Sequence, residues 1–109
     1  MLKKTHSIRK KPSSLQEVID VLKEHMDTLV DKYGITDIAV FGSYVRNEQK
    51  KRSDIDILIE LKPEYGTFHN YMDLKFFLEP KMKGKVDVVM KDGIRKELRP
   101  LILEEAIHV

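Results

Sequence analysis

The sequence predicts an α/β (α+β) domain with a small mixed β-sheet flanked by helices. Two observations carry this. Apolar residues switch between helical and strand spacing along the chain in the order α-β-α-β-α-β-α. The strand runs are short, rich in β-branched residues and bounded by Gly, Pro and charged turns.

Ser14 followed by Glu17 has the spacing of a capping box, and Leu15, Val18, Ile19, Leu22, Met26, Leu29, Val30 and Tyr33 then recur on one helical face. Gly34 is expected to stop this first helix. The run ITDIAVF, residues 35–41, reads as a strand that ends at Gly42-Ser43, and DIDILIEL, 54–61, as a second strand after a short helical turn and a polar loop. Residues 67–79 read as a helix stopped by Pro80, and KVDVVM, 85–90, as a third strand introduced by the Lys83-Gly84 turn. A final helix is expected over 95–106, begun or kinked by Pro100.

At 109 residues and 12.8 kDa the chain supports one core and leaves no room for a second substrate-gripping domain. It has no cysteine, which excludes disulfides and thiolate metal sites. It has no apolar run long enough for a membrane span and no signal-peptide core, so a cytoplasmic location is expected. The net charge of +2 hides an asymmetry: Lys3, Lys4, Arg9, Lys10 and Lys11 lie in the first eleven residues, and without them 15 basic residues face 18 acidic ones. Residues 1–13 therefore read as a basic, flexible arm, and 14–109 as the folded domain, whose acidic balance does not suggest a nucleic-acid binder.

The anomaly is in the strands. Asp54 and Asp56 project to one face about 6.6 Å apart along the strand, while Ile55 and Ile57 face the other way. Asp87 repeats the pattern between Val86 and Val88. Convergent carboxylates without sulfur or imidazole suit a hard divalent cation such as Mg²⁺, and three of them fit a binuclear site. Gly42 and Ser43, where a strand runs into a helical turn, offer free backbone N–H groups and a close approach for phosphate, and Arg46 lies one turn on. The four histidines have no ligand spacing. Lys50, Lys51 and Arg52 form a solvated loop or a contact for nucleotide or an acidic partner, and Tyr44, Tyr65 and His69 are the rings expected to be free to approach a base.

Together, Gly-Ser, a ten-residue interval, Asp-x-Asp and a later Asp on an apolar strand resemble the DNA polymerase β-like nucleotidyltransferase superfamily, in particular its minimal nucleotidyltransferase branch. The likeness covers about residues 15–109. It implies the polymerase β palm-like fold, triphosphate held at Gly42, Ser43 and Arg46, and two Mg²⁺ ions on Asp54, Asp56 and Asp87, with Asp87 helping to activate the attacking hydroxyl. One position departs: Asn47 stands where the family commonly has Gly, and Asn tolerates left-handed backbone well enough for the turn to survive. The resemblance further implies an antitoxin that transfers AMP from ATP to a hydroxyl, a tyrosine above all, of a HEPN-type toxin. The alternatives are a nucleotide-binding antitoxin that masks its toxin sterically, and a free-standing enzyme acting on a small molecule or RNA.

Overall fold

A computed structural model describes residues 10–109. Helix α1, Leu15–Glu24, is capped by Ser14, whose side chain accepts from the Glu17 N–H at 3.2 Å, while Glu17 accepts from the Ser13 N–H at 2.8 Å. The single helix expected to Tyr33 is two: α1 ends at His25, and α2 covers Met26–Tyr33. Apolar spacing runs on through the break, which is why the sequence conceals it. His25 leaves helical geometry (φ −108°, ψ 12°) and sets its ring edge-on to Phe77 at 5.6 Å. Gly34 then closes α2 with φ 73°, a left-handed cap that a side chain would disturb because the Tyr65 ring lies directly over it.

Strands β1, Ile35–Phe41, and β2, Ile55–Leu61, pair antiparallel; β3, Val86–Met90, lies parallel to β2. Helix α3, Phe68–Met82, makes the crossover that a parallel pair requires. It continues through Pro80 instead of stopping there. Pro80 lies in the last turn, where its missing N–H removes one bond at the exposed side marked by Phe76, and the helix ends on Lys83 in the left-handed conformation. Helix α4, Arg99–Glu105, is shorter than expected because residues 95–98 form a turn, with the Leu98 and Arg99 N–H groups both donating to the Arg95 carbonyl. Pro100 sits in its first turn, where no intrahelical N–H is needed. Strand β4, Ile107–His108, was not anticipated; two residues carry too little pattern to read.

The sheet order is β3-β2-β1-β4. Ile38 and Val40, Ile55, Ile57 and Ile59, and Val86 and Val88 face α1, α2 and α3 and form the main core. Ala39, Phe41, Leu58 and Val89 point to the opposite face, where Ile94 and α4 cover them. Asp54 and Asp56 share this second face by alternation with Leu58, so the side of the sheet under α4 is apolar at one end and acidic at the other.

Lys11, Pro12 and Ser13, counted in the basic arm from sequence, lie against the loop after β1: Lys11 Nζ donates to the carbonyls of Lys51 and Ser53, and the Pro12 carbonyl accepts from Tyr44. Residues 1–9 of that arm lie outside the described residues.

Ile57 is wholly buried in the central strand pair, so Ile57→Ala is expected to cost about 2–5 kcal/mol in denaturant unfolding. Leu101→Ala, at a side chain 67% exposed, is expected to stay within about 0.5 kcal/mol of the parent chain.

Candidate active site

Register places the carboxylates. Asp56 pairs with Asp87 across the parallel β2–β3 ladder and with Phe41 across the antiparallel β1–β2 ladder. Neighbouring strands lie about 4.8 Å apart, so Asp56 and Asp87 stand side by side on the face they share with Asp54. Asp54 and Asp87 are exposed and Asp56 is partly buried; among the described residues none of the three has an ion-pair partner. The expected desolvation is therefore confined to Asp56. Burial first, then the charges of Asp87 and Asp54, push its carboxyl up from 3.8 to about 6, against a smaller opposing pull from Arg46.

The turn after β1 closes against this carboxylate. Gly42 has φ 80°, and a Cβ built on it would overlap the Asp56 carboxylate. Glycine is needed twice over here, for its backbone conformation and for the space. The Gly42 carbonyl accepts from the Val45 and Arg46 N–H groups, winding residues Gly42–Tyr44 into a single 3₁₀ turn. Asn47 completes the turn at φ 58°, in the left-handed conformation that Asn tolerates better than most side chains. Arg46 is exposed beside Asp56 at the edge of an open depression of about 550 Å³ lined also by Phe41, Gly42, Leu101, Ile102 and Glu105. That volume falls within the usual range of small-ligand pockets.

Ser43 is partly buried within the turn. Tyr44 is not a free ring: it is 2% exposed in the main core, with its hydroxyl donating to the Pro12 carbonyl at 2.8 Å. Tyr65 packs over Gly34, and His69 pairs with Asp73 on the exposed side of α3, so neither belongs to this depression. Lys50 and Lys51 line a separate hollow with Lys10, Lys11 and Gln49.

One residue of the site was missed from sequence. Glu105, the last residue of α4, accepts from the Gly42 backbone N–H at 2.7 Å through Oε2 and from Arg46 Nη1 at 2.7 Å through Oε1. Arg46 Nε also donates to Glu48 at 2.9 Å, and the two carboxylates hold the guanidinium charged. A carboxylate at a helix C-terminus opposes the macrodipole, so the pair Glu104-Glu105 at the end of a predicted helix was a signal that another interaction holds one of them.

The donor chemistry suits a hard cation: three carboxylates on one face, all oxygen, with Asp56 under like-charge pressure that a cation would relieve. Among the described residues no three such side chains are already closed around a common point.

A sequence profile of the nucleotidyltransferase domain matches residues 22–109, which include every one of these site residues. The chain belongs to the nucleotidyltransferase domain family. Among its relatives, the protein adenylyltransferase MntA of Thermococcus cleftensis is 34% identical over 96 residues, covering 88% of this chain and 96% of that protein. MJ1379 of Methanocaldococcus jannaschii, named as a candidate protein adenylyltransferase, is 39% identical over 98 residues, covering 88% and 98%. A solved structure described as a candidate minimal nucleotidyltransferase superposes with a TM-score of 0.71 at 32% identity, over 84% of this chain and 92% of that one. A toxin–antitoxin crystal structure with AMP-PNP shares the fold at 20% identity and a TM-score of 0.62, over 85% of this nucleotidyltransferase chain and 69% of its own.

The raised Asp56 carboxyl fixes a sign. Between its unfolded and folded values the folded nucleotidyltransferase holds a proton that the unfolded chain has released, so stability falls as pH rises from about 4 through about 6. Asp56→Asn is expected to raise the melting temperature of the metal-free protein at about pH 7.5, by an amount worth roughly 1–2 kcal/mol after solvent screening, and to leave it unchanged near pH 4. Melting curves at the two pH values check this; a difference independent of pH would contradict it. Gly42→Ala is expected to destabilise the fold by about 1–3 kcal/mol in the same assay, through backbone strain and contact with Asp56.

Proposed function

We propose that this nucleotidyltransferase moves AMP from ATP to a hydroxyl on a partner protein, a tyrosine of a HEPN-type toxin, and so serves in the cytoplasm as the antitoxin of a toxin–antitoxin pair. The observation that carries the reading is the side-by-side placement of Asp56 and Asp87 next to the Gly42 turn. The relative named protein adenylyltransferase MntA, matched over nearly its whole length, supports protein as the acceptor class.

Asp54 and Asp56 would hold two Mg²⁺ ions, with Asp87 on the one nearer the acceptor. Bound Mg²⁺ supplies charge stabilisation at the α-phosphate and at the departing pyrophosphate. The chain's own groups do the rest. The Gly42 and Ser43 turn and Arg46 bind and orient the triphosphate, through backbone N–H donors and one guanidinium. Asp87 accepts a hydrogen bond from the acceptor hydroxyl and draws off its proton as the new oxygen–phosphorus bond forms in line with the breaking bond to pyrophosphate.

Intact-mass measurement of the neighbouring gene's product, after incubation with the protein, Mg²⁺ and ATP, tests the reading. It is expected to gain one or more AMP units with the parent chain and none with Asp54→Asn/Asp56→Asn. Neutralisation of the toxin by that double variant, without any mass gain, would favour steric masking; modification of a small molecule or RNA with no partner present would favour a free-standing enzyme. Asp87→Asn is expected to lower kcat by about a hundredfold or more while changing the affinity for ATP little, because its role is at the attacking oxygen. Equal losses in both would contradict that role.

A further inference from the structure

The phosphate-binding side of the site already holds an anion. Gly42 N–H and the Arg46 guanidinium are the groups through which the proposed function recognises triphosphate, and both are engaged by the two oxygens of one carboxylate, Glu105. The contacts are short, at 2.7 Å each, and the Glu105 side chain is only 22% exposed. A carboxylate bridging a backbone donor and a guanidinium reproduces the pattern by which two phosphate oxygens would be held.

We infer that Glu105 is an internal stand-in for phosphate: it keeps the Gly42 turn and Arg46 in their anion-bound arrangement and must give up both contacts when a triphosphate enters. The inference rests on the reading of Gly42 and Arg46 as phosphate contacts. The charge balance favours displacement over coexistence. The Arg46 guanidinium is already shared by Glu48 and Glu105, and Asp56 beside it feels the like charges of Asp87, Asp54 and Glu105, so a triphosphate added next to Glu105 would meet a carboxylate at the donors it needs.

The anchoring of α4 decides what moves. Ile102, Leu103 and Ala106 pack on Ala39, Phe41 and Leu58, and immediately beyond Glu105 the chain pairs with β1 at Val40–Ile107 and Ala39–His108. The backbone at residue 105 is thus held on both sides. Exchange requires rotation of one side chain and no opening of the domain. Glu105 therefore sets the affinity threshold for phosphate while the site stays built.

Isothermal titration with inorganic tripolyphosphate, with a non-hydrolysable ATP analogue and with adenosine, each in Mg²⁺, tests this on the parent chain, Glu105→Gln and Glu105→Ala. Removing the charge is expected to tighten tripolyphosphate and the ATP analogue by about tenfold and to leave adenosine unchanged. Circular dichroism and melting curves establish that each variant folds; Glu105→Gln keeps the side chain's size and an oxygen to accept from Gly42. Unchanged or weaker phosphate binding by the folded variants, with the parent chain still binding, would overturn the stand-in role alone and make Glu105 a positioning residue for Arg46. Tightening of adenosine by the same factor would also overturn it, since the effect would not be on phosphate. No binding of tripolyphosphate or the ATP analogue by any of the three folded chains would overturn both this inference and the phosphate-contact reading beneath it.

Discussion

Like-charge crowding at the paired strand positions of Asp56 and Asp87 is the constraint on which the second face of the sheet depends. Parallel pairing of β2 with β3 forces the two carboxylates into adjacent register, alternation adds Asp54 to the same face, and the antiparallel neighbour β1 must end where Asp56 needs room. Gly42 supplies that room. A domain built only for stability would have filled these positions as it filled Leu58 and Val89 further along, and the cost is visible in the raised Asp56 carboxyl. The acidic end of this face is thus a stability debt that a bound cation can cancel.

The rest of the fold serves that arrangement. Three helices pack on the first face and bury Ile55, Ile57, Val86 and Val88, the residues that alternate with the aspartates and fix their direction. Helix α4 covers the apolar end of the second face and stops short of the acidic end, leaving the open depression between Phe41, Arg46 and Glu105. Tyr44, buried immediately after Gly42-Ser43, ties the turn to the main core, and the chain before α1 is tied to Tyr44 in turn. Rigid strands and a core-anchored turn are suited to chemistry in which positioning and electrostatics supply most of the rate.

Much of this was legible in the sequence because strand alternation is a strict rule. Asp54, Asp56 and Asp87 break apolar runs at period-two positions, and Gly42 ends a strand, so the structure could gather them on one face only if those strands were neighbours. What stayed hidden depends on tertiary context. The break at His25 leaves the apolar spacing undisturbed, Pro80 is tolerated because only one bond in a final turn is at stake, and β4 is too short to carry a pattern. Tyr44, expected to be a free ring in the turn after β1, instead fills the core, because which way a turn residue faces is set by tertiary packing and not by strand or helix period. Glu105 is separated from Gly42 by 63 positions, and no local rule connects them.

The central claim is that the three aspartates form a cation site that opens onto the Gly42 turn. Titration of Mn²⁺, followed by the loss of its free-ion electron paramagnetic resonance signal, in the presence of a non-hydrolysable ATP analogue above pH 6 tests this most directly. The account predicts two ions bound per chain, and binding reduced to that of the nucleotide alone in Asp54→Asn/Asp56→Asn. Equal Mn²⁺ binding by the parent chain and the double variant would contradict it.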